Sequence, residues 1–556
     1  MITIDLVAHV PLFSHLTRER QEQIADRAAD VQVRSGDWLI QEGELPAFFV
    51  LLSGSLDVMK TLAGVEQVIN RYTPGDFFGE LPLLLGSTAV ASLRARESSR
   101  VLRLEPPDFH TLILGTPELS HELLKTMARR VEHLQQLTVE STPASVQVIG
   151  YRWDPQCHDL RDFLARNHVA FTWLEPTDPS AQNALRASGV GNVCPVMVLQ
   201  DGSILVTPSR RQAAEKLGLQ TRPTMTTYDV AILGAGPTGL AAAVYGASEG
   251  LRTLLIDREA PGGQAGTSSR IENYLGFPAG LSGEELSQRA WQQAHRFGAE
   301  LLVARNVEGL DLEAPQRALL LDGNEWVYAR VIVIATGVSW RRLSVPGLDP
   351  LLGRGVYYGA ARTEALGTRG KYVYLIGGGN SAGQAALYFA NYARSVTLLV
   401  RGDALEAAMS QYLVEQLTAK TNIMVRLRCE VVAVQGEVHL EAIVVRDRQT
   451  QEEHTLSTDA LFVFIGADAQ TDWLPQTILR DEHGYLLTGR DVLADPGAAR
   501  CWPLPRDPFL LETSVPGVFA AGDVRHGSIK RVASGVGEGS MSIAFIHQYL
   551  AAETQL

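Results

Sequence analysis

The stretch YDVAILGAGPTGLAAAVYGASEGLRTLLIDRE, residues 228–259, decides the fold. Its first apolar run ends at Gly234, helix-forming alanines follow Gly239, and a second apolar run ends at Asp257. The pattern reads as strand, tight turn, helix, strand. In that arrangement Gly234 makes the turn, Gly236 lets the backbone approach a pyrophosphate, and Gly239 allows close packing of helix on strand. The helix that opens at Pro237 presents its positive dipole end, with the N–H groups from Thr238 onward, to the anion. Asp257, about twenty residues on, suits ribose hydroxyls. The uncharged run from Val230 to Ser248 has nearly the length of a membrane span, but its glycines and Pro237 fit the phosphate turn better. No transmembrane helix is expected.

A second turn of the same kind lies at 371–403, KYVYLIGGGNSAGQAALYFANYARSVTLLVRGD. Gly377, Gly379 and Ala382 fill its three small positions, with Asn380 and Ser381 opening the helix. The strand that follows ends at Val400 and Arg401 rather than at an acid. An acid selects a free ribose 2′-hydroxyl and an arginine suits a 2′-phosphate, so NADP is favoured, with NAD as the alternative. Asn380 and Gln384 read equally as helix-start polar residues or as direct cofactor contacts.

Working outward, 556 residues with 46% hydrophobic and 20% charged content make a multidomain chain. The net charge of -13 disfavours nucleic acid or an anionic membrane as principal partner. The opening MITIDLVAHVPLF carries an acid and no basic segment before its apolar residues, so a cytoplasmic location is expected. Four cysteines, Cys157, Cys194, Cys429 and Cys501, give neither an extracellular disulfide framework nor metal-ligand spacing, and no metal site is expected. Residues 1–140 begin with short β-like runs punctuated by glycines, which predict a small antiparallel barrel or jelly roll. A helical spacing follows from Pro107 to Leu137, and STPAS at 141–145 reads as a linker. Residues 146–220 alternate strand and helix three times, and after TRPTMTT the α/β region runs from 226 to the end.

This last region resembles bacterial thioredoxin reductase across nearly its full length. The resemblance is carried by PGGQAGTSSRIENYLGFP (261–278), VIVIATGVSWRRLSVPG (331–347), VFIGADAQTDWL (463–474) and TSVPGVFAAGDVRHGSIKRVASGVGEG (513–539). It implies an FAD domain in two parts, 226–340 and 467–556, with an NAD(P) domain, 341–466, inserted between them, and a homodimer. It also implies that Gly263, Gln264 and Asn273 hold the flavin and its diphosphate, and that Thr336 and Gly337 mark a crossing between the domains. Gly522 and Asp523 match the segment that binds the ribityl chain; Lys530, Arg531 and Val532 match the flavin's pyrimidine edge. A helix starting near Val532 would aim its positive end at that edge and raise the flavin's electron affinity. The pattern breaks where the family carries its CxxC: the matching positions are Gly359, Ala360, Ala361 and Arg362, so the flavin-to-dithiol relay has no sulfur here.

Residues 146–220 resemble a thioredoxin or glutaredoxin domain through WDPQC (153–157) and VCPVM (193–197). The attacking-cysteine position is Asp154, and Cys194 precedes the expected cis-proline. The resemblance therefore leaves two readings, a relocated redox pair of Cys157 with Cys194, or a docking domain with two buried thiols. The N-terminal domain resembles cyclic-nucleotide-binding domains through IQEGE (40–44), LLSGSLDV (51–58) and PGDFFGELPLLLGSTAVASLRA (74–95). There Gly79 and Glu80 match ligand contacts, but the phosphate-binding arginine falls at Ala89, so another regulatory ligand or a scaffolding role is expected. The whole is read as α/β: two Rossmann-like domains preceded by a β-roll and a small thioredoxin-like domain. Three functions follow as expectations: hydride transfer from NADPH to FAD and on to an unidentified acceptor, small molecule or protein; disulfide reduction through Cys157 and Cys194; or a flavin redox sensor.

Overall fold

The computed structural model describes residues 2–114, 116, 119, 123 and 146–553, save 42–43, 45, 63–64, 86–87, 90, 189–192, 269, 279, 313–315, 360–364, 366 and 496–501. The 141–145 linker, most of the expected Pro107–Leu137 helix, Ala360 to Arg362 and Cys501 lie outside the described residues. The chain divides into two compact units, Met1–Pro143 and Ala144–Leu556.

In the first unit, two four-stranded antiparallel sheets form a β-roll. One runs Ala29–Val33, Ser99–Leu104, Phe48–Ser53, Phe77–Phe78, and the other Trp38–Ile40, Ser92–Ala95, Leu56–Leu62, Val65–Tyr72. Strand Phe48–Ser53 is apolar on both sides because alternate residues enter different cores. Phe49 and Leu51 join Leu56, Phe78 and Leu93, whereas Phe48 and Val50 join Val7 and Ile24 of the two leading helices, Ile4–His9 and Arg18–Arg27, and Phe13 between them.

Among the described residues the second unit contains three larger sheets, a three-stranded antiparallel sheet of Cys429–Gln435, Ala442–Asp447 and Glu453–Ser457, and one two-stranded pair. The small domain has strands in the order Phe171–Leu174, Val146–Ile149, Val196–Leu199, Ile204–Val206. Its first pair is parallel and the others antiparallel, and helices Pro155–Arg166, Pro179–Ser188 and Arg210–Lys216 accompany them. The peptide bond between Cys194 and Pro195 is cis.

A seven-stranded sheet follows, with Thr227–Leu233 between Thr253–Ile256 and Glu325–Ile334, all parallel, and Val518–Ala520 beside the last. The inserted sheet is five-stranded and parallel, ordered Val356–Tyr358, Ala460–Val463, Tyr372–Ile376, Ser395–Leu399, Ile423–Arg426. Continuous apolar strands such as VAIL in Thr227–Leu233 and YLI in Tyr372–Ile376 fit burial on both faces. The two passages of chain between these sheets pair as Ser339–Trp340 with Ala467–Asp468. Arg341 fixes them with a two-pronged ion pair to Asp468, at 3.0 and 2.6 Å.

Candidate functional site

At the carboxyl end of Thr227–Leu233 the chain turns at Gly234, whose φ of 103° and 2.5 Å clearance from a Cβ to the Ala335 carbonyl admit only glycine. Gly239 lies against the Gly234 carbonyl, where a Cβ would sit at 1.8 Å. Gly236 caps helix Pro237–Ser248 without a side-chain hydrogen bond, so the first N–H groups remain for another acceptor. Gly236, Pro237 and Thr238 line a cleft of about 280 Å³ together with Gly263, Gln264, Thr336, Gly337, Asp523, Lys530, Arg531 and Val532. A contiguous cleft of about 420 Å³ extends past Asp257 to Arg258, Glu259, Asn306 and Trp473. Two clefts meeting at one glycine turn have the length and donor set for a dinucleotide.

Asp257 is more than a ribose acceptor in waiting. Its carboxylate accepts from the N–H groups of Ala235 (2.7 Å), Glu259 (2.8 Å) and Ala260 (3.0 Å), tying the glycine turn to the next loop. Burial raises its pKa against those hydrogen bonds and the nearby Arg166. Gln264 donates to the Val338 carbonyl and so joins the phosphate loop to the interdomain crossing. Asn273 is exposed and lines neither cleft. Gly239 and Gly522 act behind the lining: a Cβ on Gly522 would stand 2.3 Å from Thr238 Oγ1.

The opposite wall comes from Gly522–Val524 and the helix Val532–Glu553. Burial pushes the Asp523 carboxyl up while Lys530 opposes the shift. Sequence reasoning missed Glu538, which organises this wall. Its carboxylate accepts from Gly522 N–H at 2.7 Å and holds Arg525 at 2.6 and 3.1 Å. The only sequence signal was an acid inside an otherwise apolar, glycine-rich helix.

The second glycine turn repeats the first. Gly377 has φ 144°, and a Cβ there would meet the Phe464 carbonyl at 2.4 Å. Gly379 caps helix Asn380–Phe389 without a side-chain bond, and Ala382 is buried. Ser381, Gln384, Ala385 and Phe464 reach the same cleft as Gly234 and Asp523. Asn380 is turned to a structural task, accepting from Ser410 N–H at 2.7 Å at the start of the next helix. Arg401 is exposed, and its carbonyl accepts from Arg448.

Cys157 is fully buried in helix Pro155–Arg166, and Cys194 is half-buried. Burial, then the Asp154 carboxylate, drives the Cys157 thiol far above the ordinary range; Cys194 is raised by burial and Asp154 too. Asp154 occupies the helix cap and accepts from Cys157 N–H at 2.9 Å, so its negative charge cancels the helix field that would favour a thiolate. Neither cysteine lines the cleft. In the first unit, Gly79 has φ 88° and Glu80 is 2% exposed, while Ala89 is buried and gives no cation for a cyclic phosphate. Among the described residues no group of three His, Cys, Asp or Glu is placed to hold a metal, and no helix is long and apolar enough to cross a membrane.

Two linked nucleotide folds sharing one cleft define a pyridine-nucleotide flavoprotein. Residues 228–539 match the family model for pyridine nucleotide-disulphide oxidoreductase, and the chain belongs to that family. Residues 30–115 match that of the cyclic nucleotide-binding domain. Thioredoxin reductase of Bacillus subtilis is 33% identical over 330 residues, 58% of this chain and 95% of its own length. The enzyme of Mycolicibacterium smegmatis is 32% identical over 327 residues, 59% and 97%. The crystal structure of T. acidophilum thioredoxin reductase superimposes with a TM-score of 0.52 at 28% identity, covering 59% of this chain and 99% of that one. The chain is thus an FAD-dependent NAD(P)H oxidoreductase of the thioredoxin-reductase type. The uncapped helix start at Gly236 and the glycine-lined turn fit the diphosphate of FAD.

Proposed function

We propose that this protein oxidises NAD(P)H and delivers the electrons to an acceptor outside its own chain. FAD, when bound, supplies the two-electron exchange; no side-chain acid, base or nucleophile is needed for it. One observation carries the reading: Ser381, Gln384 and Phe464 of the second nucleotide domain open onto the flavin cleft, whereas no cysteine among the described residues lines it. Helix Asn380–Phe389 positions the pyridine nucleotide with its uncapped start, and the crossings at Ser339–Trp340 and Ala467–Asp468 hold the two domains in register. The start of helix Val532–Glu553, with Lys530 and Arg531, places positive potential along one side of the cleft. Arg401, at the end of strand Ser395–Leu399, favours the 2′-phosphate of NADPH.

An anaerobic NADPH titration followed by flavin absorbance, repeated with NADH, tests this. Complete bleaching at about one equivalent per FAD supports an external acceptor. A need for about two equivalents, with two new thiols, overturns it in favour of Cys157 and Cys194. That second reading has behind it the place of Cys194 at the cis peptide bond to Pro195 and the Asp154 charge that acts on both thiols. Against it stand the burial of Cys157 and the raised pKa of both.

A further inference from the structure

One wall of the cleft around Asp257 comes from outside the nucleotide fold. Arg166 ends the helix Pro155–Arg166 of the small domain, yet it lines the cleft with Gly234, Asp257 and Gly263. Its Nη1 meets the Glu259 carboxylate at 2.5 Å and its Nη2 donates to the Gly263 carbonyl at 3.2 Å. Arg210, also of the small domain, takes the other Glu259 oxygen at 3.1 Å, and Asn167 Nδ2 donates to the Glu259 carbonyl at 3.1 Å. Two arginines thus grip the acid two residues beyond Asp257, but only Arg166 continues to the phosphate loop and the cleft. The small domain is also joined to this fold by one apolar cluster, in which Val148, Phe163 and Leu164 accompany Val230, Ile232 and Leu255.

The electrostatic need is plain. Asp257 and Glu259 are two carboxylates on the Asp257 side of the cleft, away from Lys530 and Arg531, where the helix start at Pro237 supplies partial positive charge and Arg258 and Arg166 supply full charges. A guanidinium tied to both Glu259 and Gly263 offsets the repulsion and holds the loop to which the diphosphate binds. We propose that Arg166 of the small domain is a positioning residue of the FAD groove, so that flavin binding and docking of the small domain stabilise one another. By linkage, whatever free energy the docked domain adds to FAD binding, FAD returns to docking. The small domain then serves as a flavin-retaining cover.

The test uses the full-length protein and the variants Arg166→Ala, Arg166→Lys and Arg210→Ala. FAD release after dilution is followed by flavin fluorescence, and opening of the small domain by modification of buried Cys157 with a maleimide, with and without FAD. Arg166→Ala is expected to speed release by about tenfold to a hundredfold. Arg166→Lys restores part of the retention, since it keeps the charge and loses the fork. Arg210→Ala, which loses the same carboxylate but no groove contact, stays within about twofold of the native rate. Removing FAD from the native protein is expected to hasten Cys157 modification, and adding FAD back to slow it again. Native-like release from Arg166→Ala, or equal release from the Arg166 and Arg210 variants, overturns the proposal. So does Cys157 modification that ignores FAD, a measurement on native protein that stands even if a variant fails to fold. A native protein that never binds FAD would instead strike at the flavoprotein reading itself.

Discussion

Replacing Glu538 by alanine removes the carboxylate that ties helix Val532–Glu553 to the Gly522–Arg525 segment behind the cleft. Its carboxylate takes the Gly522 N–H and both prongs of Arg525, with only 11% of the Glu538 side chain and 17% of the Arg525 side chain exposed. Deleting it strands a guanidinium and a buried N–H, and breaking such a pair from one side costs roughly 3–5 kcal/mol. Partial exposure of Arg525 lets water relieve some of that, so about 3 kcal/mol is expected for the unit that holds the cleft. Gly522 rests on Thr238 of the phosphate-binding helix, so the loss is felt at both walls. Urea unfolding at saturating FAD, read by FAD release, isolates this transition from that of the N-terminal unit. Glu538→Gln keeps an acceptor for Gly522 and is expected to lose about 2 kcal/mol. An Ala variant whose midpoint and slope place it within about 0.5 kcal/mol of the native protein would refute the account.

Gly377→Ala forces a side chain into φ 144° and to 2.4 Å of the Phe464 carbonyl. Flavin reduction by NADPH in a stopped-flow instrument should slow at least about tenfold with FAD content unchanged, because the turn belongs to the inserted domain. Arg401→Ala should raise KM for NADPH about tenfold and leave that for NADH alone; equal effects on both would deny Arg401 the 2′-phosphate. Asp154→Asn keeps the cap to Cys157 N–H but removes the charge that, after burial, raises the thiol. With the folded pKa raised, Cys157 stays protonated through neutral pH and ionises only above the ordinary thiol range; the variant's thiolate absorbance should appear at lower pH. Superimposable titrations would show that burial alone sets this thiol.

Both nucleotide turns were legible in the chain because their requirements are local. A glycine at positive φ, a second where a phosphate approaches, and a small residue where helix meets strand fall within a few positions of each other, as at Gly234, Gly236 and Gly239. The start of the last helix at Val532 came instead from the resemblance to thioredoxin reductase, and the helix runs Val532–Glu553. Asn380 was not: its motif position permits a cofactor contact, and only the arrival of Ser410 shows that its carbonyl oxygen is already engaged. Asp257 was half legible, since its position named it but not the three N–H groups it holds. Glu538 looked like an interruption of an apolar helix until the fold brought Arg525 and Gly522 to it.

The sequence by itself determined the class of the protein, two dinucleotide folds behind a β-roll, and the missing sulfur at 359–362. It did so because strand period, glycine conformation and helix capping act over a few residues. Tertiary structure alone decided which groups share the cleft. Ser381 shares one cleft with Gly234 through the return of the chain between two sheets, and Arg166 meets Gly263 across 97 residues of sequence. Such meetings are fixed by the packing of whole domains on common apolar clusters, and no local spacing encodes them.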